Sequence, residues 1–114
     1  EVGTPLVEHP KVAKVAFTGS DATGQRIYEA AAKNLKRVSM ELGGKSPNIV
    51  FDDAQIDNAV KGVISGIFAA TGQTCIAGSR LLVQRSIHDA FVDKLVALAK
   101  TAKMGNPMDM STQV

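Results

Sequence analysis

The chain has 114 residues, a formal net charge of +2 and a single cysteine. A hydrophobic fraction of 45% with 21% charged residues is that of an ordinary folded protein, which excludes disordered, collagen-like and low-complexity classes. The small net charge and the scattered basic residues argue against a nucleic-acid or membrane-surface partner, and one cysteine excludes an intrachain disulfide.

The single cysteine also favours a reducing compartment, so we expect a cytoplasmic location. The first residues lack the basic and apolar regions of a signal peptide, and no apolar stretch approaches the roughly 20 residues that span a bilayer. The length is that of one small domain. The ends of the chain, at Glu1 and Val114, show no closing element and suggest a piece of a longer chain.

The first predicted elements are a strand, a turn and a helix. An apolar run at residues 12–17 predicts a buried strand that ends in a tight turn. Ser20 and Asp21 are favourable N-cap residues for a helix that extends to about residue 34. Few large apolar side chains occur in this helix, so we expect it to pack closely or weakly.

Two more strands precede the second helix. Polar and apolar residues alternate over residues 37–42, which predicts a strand, and Gly43 and Gly44 end it. A second apolar run at residues 48–51 predicts the next strand.

The second helix has the clearest pattern in the chain. Apolar residues repeat at three- and four-residue spacing over residues 56–68, which predicts an amphipathic helix that begins at residues 52–53. Gly62 and Gly66 inside it suggest close approach by a neighbouring element. Gly72 is the expected end of this helix.

The remaining elements are a loop, a strand and a last helix. Residues 73–78 predict a loop that carries the cysteine, and residues 79–85 predict a strand. Residues 86–89 have the form of a capping box, from which a helix extends to about residue 102. The alternation of strands and helices is that of an α/β protein.

Several segments are candidates for ligand binding or catalysis, and each also has an ordinary structural explanation. The strand-to-helix turn at residues 19–24 aims backbone N–H groups at an anion, although one such turn is common. Residues 43–46 resemble the end of a P-loop, but the earlier glycine is missing and no helix follows, so we reject a nucleotide triphosphatase. Cys75 is either an inert filler or a presented nucleophile. Glu41 is either a solvated carboxylate or a general base.

The two histidines, His9 and His88, are isolated in the sequence. Neither has a second ligand at metal-binding spacing, so we expect no metal site. His88 is best interpreted as a surface residue at a helix start.

Taken together, these segments resemble the aldehyde dehydrogenase superfamily in their order and spacing. The resemblance is carried by Phe-Thr-Gly-Ser at residues 17–20, Gly24, Met-Glu-Leu-Gly-Gly-Lys-Ser-Pro at 40–47, Gly-Gln-Thr-Cys at 72–75 and Ala-Gly-Ser-Arg at 77–80. It implies a central fragment of such an enzyme. Residues 1–44 would be the end of a Rossmann-like cofactor-binding domain, joined to residues 45–114 as the start of an α/β catalytic domain.

The resemblance also implies roles for individual residues. Cys75 would attack an aldehyde, forming a thiohemiacetal and then a thioester, and Glu41 would activate the water that releases a carboxylic acid. Thr74 and Ile76 would line the aldehyde tunnel. The cofactor would be NAD or NADP, with no metal, and its contacts would be Thr18, Gly19, Ser20, Thr23, Gly24 and Leu42.

Two hypotheses about function follow. In the first, the parent enzyme is a homo-oligomer, a dimer or a tetramer, that oxidises a small-molecule aldehyde without nucleic-acid or membrane partners, and the isolated chain is inactive alone. In the second, the chain is a non-catalytic folded fragment that acts only as a structural or association module.

Overall fold

The computed structural model describes residues 2–114 as an alternation of helices and strands. In chain order these are α1 (Gly3–Glu8), β1 (Lys14–Thr18), α2 (Asp21–Ala32), β2 (Arg37–Glu41), β3 (Pro47–Val50), α3 (Ile56–Phe68), β4 (Arg80–Val83) and α4 (His88–Ala99). An irregular turn at Ala69–Gly72 follows α3, and a short 3-10 turn at Arg85–Ile87 precedes α4. Among the described residues, no helix combines the length and the apolar character needed to cross a membrane.

The chain divides into two compact units, Glu1–Gly43 and Gly44–Val114. Each unit contains a strand–helix–strand segment whose strands are parallel, because β1 pairs with β2 and β3 pairs with β4. The prediction of an α/β fold is confirmed. The strands β2 and β3 are consecutive in the sequence, yet they belong to different sheets. The assignment of a cofactor domain and a catalytic domain to residues 1–44 and 45–114 stays a prediction.

In the first unit, α1 packs against α2, and α2 packs against the sheet of β1 and β2. The register places Lys14 beside Arg37 at one end of the strand pair and Thr18 beside Glu41 at the other. The buried side chain of α2 is a small one, Ala31, as the expectation of close or weak packing requires. The helix α1 was not predicted from the sequence.

In the second unit, four buried apolar side chains form the core. Val50 of β3, Val60 and Val63 of α3 and Phe91 of α4 pack together, and Phe91 is only 1% exposed. This cluster confirms the amphipathic pattern of α3, since the three- and four-residue spacing places its apolar residues against the sheet.

The predicted start of α3 at residues 52–53 is wrong. The helix begins at Ile56, and no side chain caps it. The Asp52 carboxylate instead accepts hydrogen bonds from the Gln84 side-chain amide at 2.6 Å and from the Ser86 hydroxyl at 3.3 Å. The Gln84 side-chain oxygen in turn accepts from the Asp52 backbone N–H at 3.1 Å.

The predicted capping box at residues 86–89 is wrong for the same reason. The hydroxyl of Ser86 is engaged with Asp52, and α4 begins at His88 without a side-chain cap. The Asp89 carboxylate lies 2.8 Å from His88 Nδ1 rather than on a backbone N–H. The histidine is exposed at the helix start, as expected.

The expectation about the two glycines of α3 is half confirmed. A Cβ at Gly66 would lie 3.4 Å from the Asn48 side-chain amide, so a neighbouring strand does approach it closely. A Cβ at Gly62 would meet nothing within 4 Å.

Candidate active site

The predicted phosphate-binding turn lies between β1 and α2 in the first unit. Ser20 is the N-cap of α2, and its hydroxyl oxygen accepts a hydrogen bond from the Thr23 backbone N–H at 3.4 Å. The first main-chain bond of the helix runs from the Gly24 N–H to the Ser20 carbonyl at 2.9 Å. Of the N–H groups before it, that of Thr23 is capped by Ser20, and those of Asp21 and Ala22 lie at the open helix end, where the helix dipole favours an anion.

The start of α2 lies close to the chain that follows β2. A Cβ at Gly24 would lie 2.9 Å from Leu42 Cδ2, so only a glycine fits there without movement of the leucine. Gly24 is itself buried, and Leu42 is half-buried. The structure therefore places two of the predicted cofactor residues, Gly24 and Leu42, side by side.

Glu41 is the last residue of β2, and it lies directly beside the turn. Its register partner in the sheet is Thr18, the last residue of β1. Its carbonyl oxygen accepts a hydrogen bond from the Gly19 N–H at 3.1 Å. The Glu41 side chain is exposed, and in the described part of the chain its carboxylate has no hydrogen-bonded partner. The residue predicted as the base therefore lies beside the predicted phosphate site, at the carboxyl end of two parallel strands, the edge where α/β sheets bind ligands.

A cavity of about 680 Å³ opens between α1, β1 and α2 in the same unit. Its walls are largely apolar and include Val7, Phe17 and Ile27. Thr23 is the predicted cofactor residue that lines it, and Arg26 provides a positive charge one helical turn further on. A flat aromatic group of a ligand held at the turn would find an apolar surface here.

Cys75 lies in the second unit, in the loop predicted between α3 and β4. It is exposed and has no disulfide partner. The loop is closed by two main-chain bonds, from Ala77 N–H to the Thr74 carbonyl at 3.1 Å and from Gly78 N–H to the Gly66 carbonyl at 3.0 Å. The thiol is therefore exposed, and the loop that carries it is hydrogen-bonded to α3.

The residues next to Cys75 in the sequence differ in their exposure to solvent. Thr74 and Ile76 are exposed, with 80% of the isoleucine accessible, whereas Ala77 is buried. A Cβ at Gly44 would lie 3.6 Å from the Cys75 carbonyl oxygen, so the start of this unit runs past the loop. The predicted nucleophile and both predicted tunnel residues are thus together in the second unit, and the predicted base and cofactor contacts are together in the first.

Two supporting residues were missed by the sequence reasoning. Asn48 of β3 lies under the Cys75 loop, because its side chain contacts the positions where Gly66 and Gly78 would carry a Cβ. Arg26 lines the cavity beside Thr23. The glycine at position 78 was the available signal for Asn48, since a glycine in a short loop often marks close approach by another side chain.

Two carboxyl groups away from the predicted site residues have lowered pKa values, and in each case the cause is a neighbouring side chain or backbone group. Hydrogen bonding and charge attraction from Lys94 lower the pKa of Asp57 below its usual value, with a smaller contribution from Lys61. Hydrogen bonds from Ser111 lower the pKa of Asp109. Over residues 2–114, no three His, Cys, Asp or Glu side chains are grouped to hold a metal ion.

Comparison with known proteins gives one consistent family. The sequence matches the aldehyde dehydrogenase family over residues 1–114. It is 53% identical over 114 residues to betaine aldehyde dehydrogenase of Rhizobium johnstonii, which covers 100% of this chain and 23% of that protein.

Solved structures agree with this match. The structure of PnpE in complex with nicotinamide adenine dinucleotide has a TM-score of 0.93 and 53% identity, covering 99% of this chain and 23% of that one. The structure of an NADP-dependent enzyme of E. coli has a TM-score of 0.94 and 42% identity, with coverages of 99% and 24%. The chain thus spans about a quarter of the length of the proteins it matches.

Proposed function

This chain belongs to the aldehyde dehydrogenase family, and from that premise we propose that it supplies the nucleophile, the base and part of the cofactor site of an NAD(P)-dependent enzyme. That enzyme oxidises an aldehyde to a carboxylic acid. The observation that carries the proposal is the register of the first sheet, which puts Glu41 beside Thr18 and the turn at Gly19. A base and an anion site at one strand edge are what a dinucleotide-dependent reaction with a hydrolytic step requires.

The residues of the first unit fit a dinucleotide. The open N–H groups at the start of α2, with Thr18, Gly19 and Ser20, would hold the pyrophosphate. Thr23 and Gly24 would lie beside the adenine, next to the apolar cavity, and the Leu42 main chain would lie near the nicotinamide. The cofactor, when bound, accepts a hydride from the substrate. The matched structures include one with NAD and one of an NADP-dependent enzyme, and the proposal accommodates either.

Cys75 would act as the nucleophile. Its sulfur, as the thiolate, would bond to the aldehyde carbon as the carbonyl π bond opens to the oxyanion of a thiohemiacetal. That oxyanion re-forms the carbonyl as a hydride leaves the carbon for the dinucleotide, which gives a thioester. The exposed loop leaves the sulfur open to attack a carbonyl, and Thr74 and Ile76 would border the path of the aldehyde.

Glu41 would act as the general base in the second half of the reaction. It takes a proton from water, the water oxygen bonds to the thioester carbon, and the carbon–sulfur bond breaks to release the acid and the thiolate. The exposure of the Glu41 carboxylate is consistent with a water contact. The product is therefore a free acid.

The remaining proposals concern the whole enzyme and follow from family membership. We expect a cytoplasmic homo-oligomer that acts on a small-molecule aldehyde, while the 114-residue chain is inactive alone. Dinucleotide reduction by this purified chain with a simple aldehyde would contradict that last expectation.

The nucleophile is tested by Cys75→Ala in the full-length protein that contains this chain. Loss of the sulfur removes the covalent intermediate, so turnover should fall on the order of 10⁴-fold or more. The measurement is the rate of nicotinamide reduction with saturating aldehyde. Unchanged turnover would eliminate Cys75 as the nucleophile, and unchanged dinucleotide affinity would show that the variant is folded.

The base is tested separately by Glu41→Gln. Loss of a general base should slow turnover about 10²- to 10⁴-fold, while one equivalent of dinucleotide per active site is still reduced rapidly. Mass spectrometry should then find an acyl group on Cys75. A variant that shows no rapid first turnover and no acylated protein contradicts a purely hydrolytic role for Glu41.

A further inference from the structure

The chain immediately before the Cys75 loop has an unusual backbone conformation. Three consecutive residues adopt positive φ angles, 49° at Ala70, 55° at Thr71 and 77° at Gly72. Glycine adopts this conformation freely, but alanine and especially the β-branched threonine do so at a cost in free energy. Such a conformation persists only where surrounding interactions hold it in place.

The side chain of Thr71 supplies those interactions. Its hydroxyl donates a hydrogen bond to the Ala70 carbonyl at 2.6 Å, and its oxygen accepts one from the Gln73 side-chain amide at 2.8 Å. The Gln73 backbone N–H donates to the same Ala70 carbonyl at 3.0 Å. One hydroxyl thus links the strained turn to the first residue of the loop.

The other end of the loop is held by α3 and β3. The Gly78 N–H donates to the Gly66 carbonyl at 3.0 Å, and Gly78 also lies against the Asn48 side chain. Cys75 lies between these two attachments, three residues from Gly78 and two from Gln73. Release of either end would let the position of its sulfur vary.

We propose that Thr71 is a positioning residue for Cys75. Its hydroxyl holds the left-handed turn and, through Gln73, fixes the amino-terminal end of the loop without a hydrogen bond to the thiol. The inference rests on the proposed role of Cys75 as the nucleophile, because a fixed loop matters for rate only if the sulfur attacks. A valine at position 71 keeps the shape of the side chain and loses both hydrogen bonds, whereas a serine keeps them.

The test compares Thr71→Val with Thr71→Ser in the 114-residue chain by amide hydrogen exchange. In Thr71→Val, the Gln73, Ala77 and Gly78 amides should exchange about two- to tenfold faster, the range expected from loss of the one bond that reaches the loop, between Thr71 and Gln73. Thr71→Ser should restore the rates of the original chain. The matched control is Thr101→Val, which removes a hydroxyl bond to the Leu98 carbonyl after α4 and should leave the three loop amides unchanged.

Equal exchange in Thr71→Val and the original chain overturns the proposal, as does faster exchange throughout the second unit with no concentration in the loop. If Thr71→Val fails to fold, Gln73→Met carries the same test, because it removes the other partner of the bond. Failure of both variants to fold would show that the bond supports the whole unit, which also overturns a positioning role.

A kinetic readout separates this proposal from the one on which it rests. In the full-length protein, Thr71→Val should lower kcat by a similar two- to tenfold factor and leave the KM for the dinucleotide unchanged. Thr71→Ser should restore kcat. If Cys75→Ala retains turnover, the proposed function fails. If Cys75→Ala loses turnover but Thr71→Val and Thr71→Ser show the same amide exchange and the same kcat, only the positioning role fails.

Discussion

The two strand–helix–strand units are built from the same elements but pack in different ways. The second unit has a core of large side chains, in which Phe91 is packed among Val50, Val60 and Val63. In the first unit, the buried residues of α2 are Gly24 and Ala31, which have almost no side chain. Close approach of the main chain there replaces the burial of large apolar side chains.

This difference matches the chemistry proposed for each unit. Small residues at the start of α2 bring the helix end next to Leu42, so that the open N–H groups and Glu41 share one strand edge. The second unit instead has a firm core to which the loop of Cys75 is attached. In the proposed reaction, the first unit would hold the cofactor and the second would support the nucleophile.

The largest expected effect comes from truncating the aromatic side chain of one helix in each unit. The two truncations together test the contrast between the units. Phe91→Ala should destabilise the second unit by about 3–5 kcal/mol, because it leaves a cavity in a filled core. Tyr28→Ala, at a side chain of α2 that is 55% exposed, should cost less than about 1 kcal/mol. Urea unfolding, followed through resolved amide signals of each unit, measures both changes.

Phe91→Leu is the control for the shape of the core. It keeps much of the apolar volume, so its cost should fall well below that of Phe91→Ala. Similar losses for Tyr28→Ala and Phe91→Ala would contradict the difference between the two units.

A smaller effect is expected at one glycine in each of the helices α2 and α3. Gly62→Ala should stabilise α3 by up to about 1 kcal/mol, because the position is open and alanine favours a helix. Gly24→Ala has the same propensity gain, but its Cβ would lie 2.9 Å from Leu42 Cδ2. Overpacking costs about 1–3 kcal/mol, so the net effect should be destabilising. Chemical denaturation of both variants gives the two signs.

The contribution of Leu42 is tested by repeating Gly24→Ala in a Leu42→Ala variant. In Leu42→Ala, the obstructing side chain is gone, so Gly24→Ala should become stabilising, as Gly62→Ala is in the original chain. If Gly24→Ala is already stabilising in the original chain, the close approach between α2 and Leu42 does not restrict this position.

The sequence predicted the elements well where the signal was local. Alternation identified β2, and the spacing of apolar residues identified α3, because both patterns reflect one face of one element. The turn at Ser20 was also predictable, since an N-cap serine acts on its own helix. The candidate residues of the first site follow from that turn and from the family resemblance.

The errors arise where a side chain bonds to a distant part of the chain. Asp52 and Ser86 look like caps, but Asp52 bonds to Gln84 and to Ser86 across 32 and 34 residues, so both helices begin later. Positive φ at Ala70 was equally unpredictable, because alanine shows no local preference for it. These non-local bonds are set by the packing of the unit.

The smallest expected effect concerns the exposed ion pair that joins α3 to α4. Lys94 Nζ lies 2.7 Å from the Asp57 carboxylate, and this contact lowers the pKa of Asp57 below the usual 3.8. A carboxyl group with a lower pKa in the folded state adds stability above its unfolded pKa, and that contribution is lost as the pH falls through the folded pKa. Asp57→Asn should therefore lower the unfolding midpoint slightly at about pH 6 and leave it unchanged near pH 2, with the difference reduced by added salt.

The pair between Lys33 and Glu8 in the first unit is longer, at 3.9 Å, so Glu8→Gln should change the midpoint less than Asp57→Asn does. A larger effect from Glu8→Gln would mean that the first unit, with its small buried side chains, depends more on surface charge than the second.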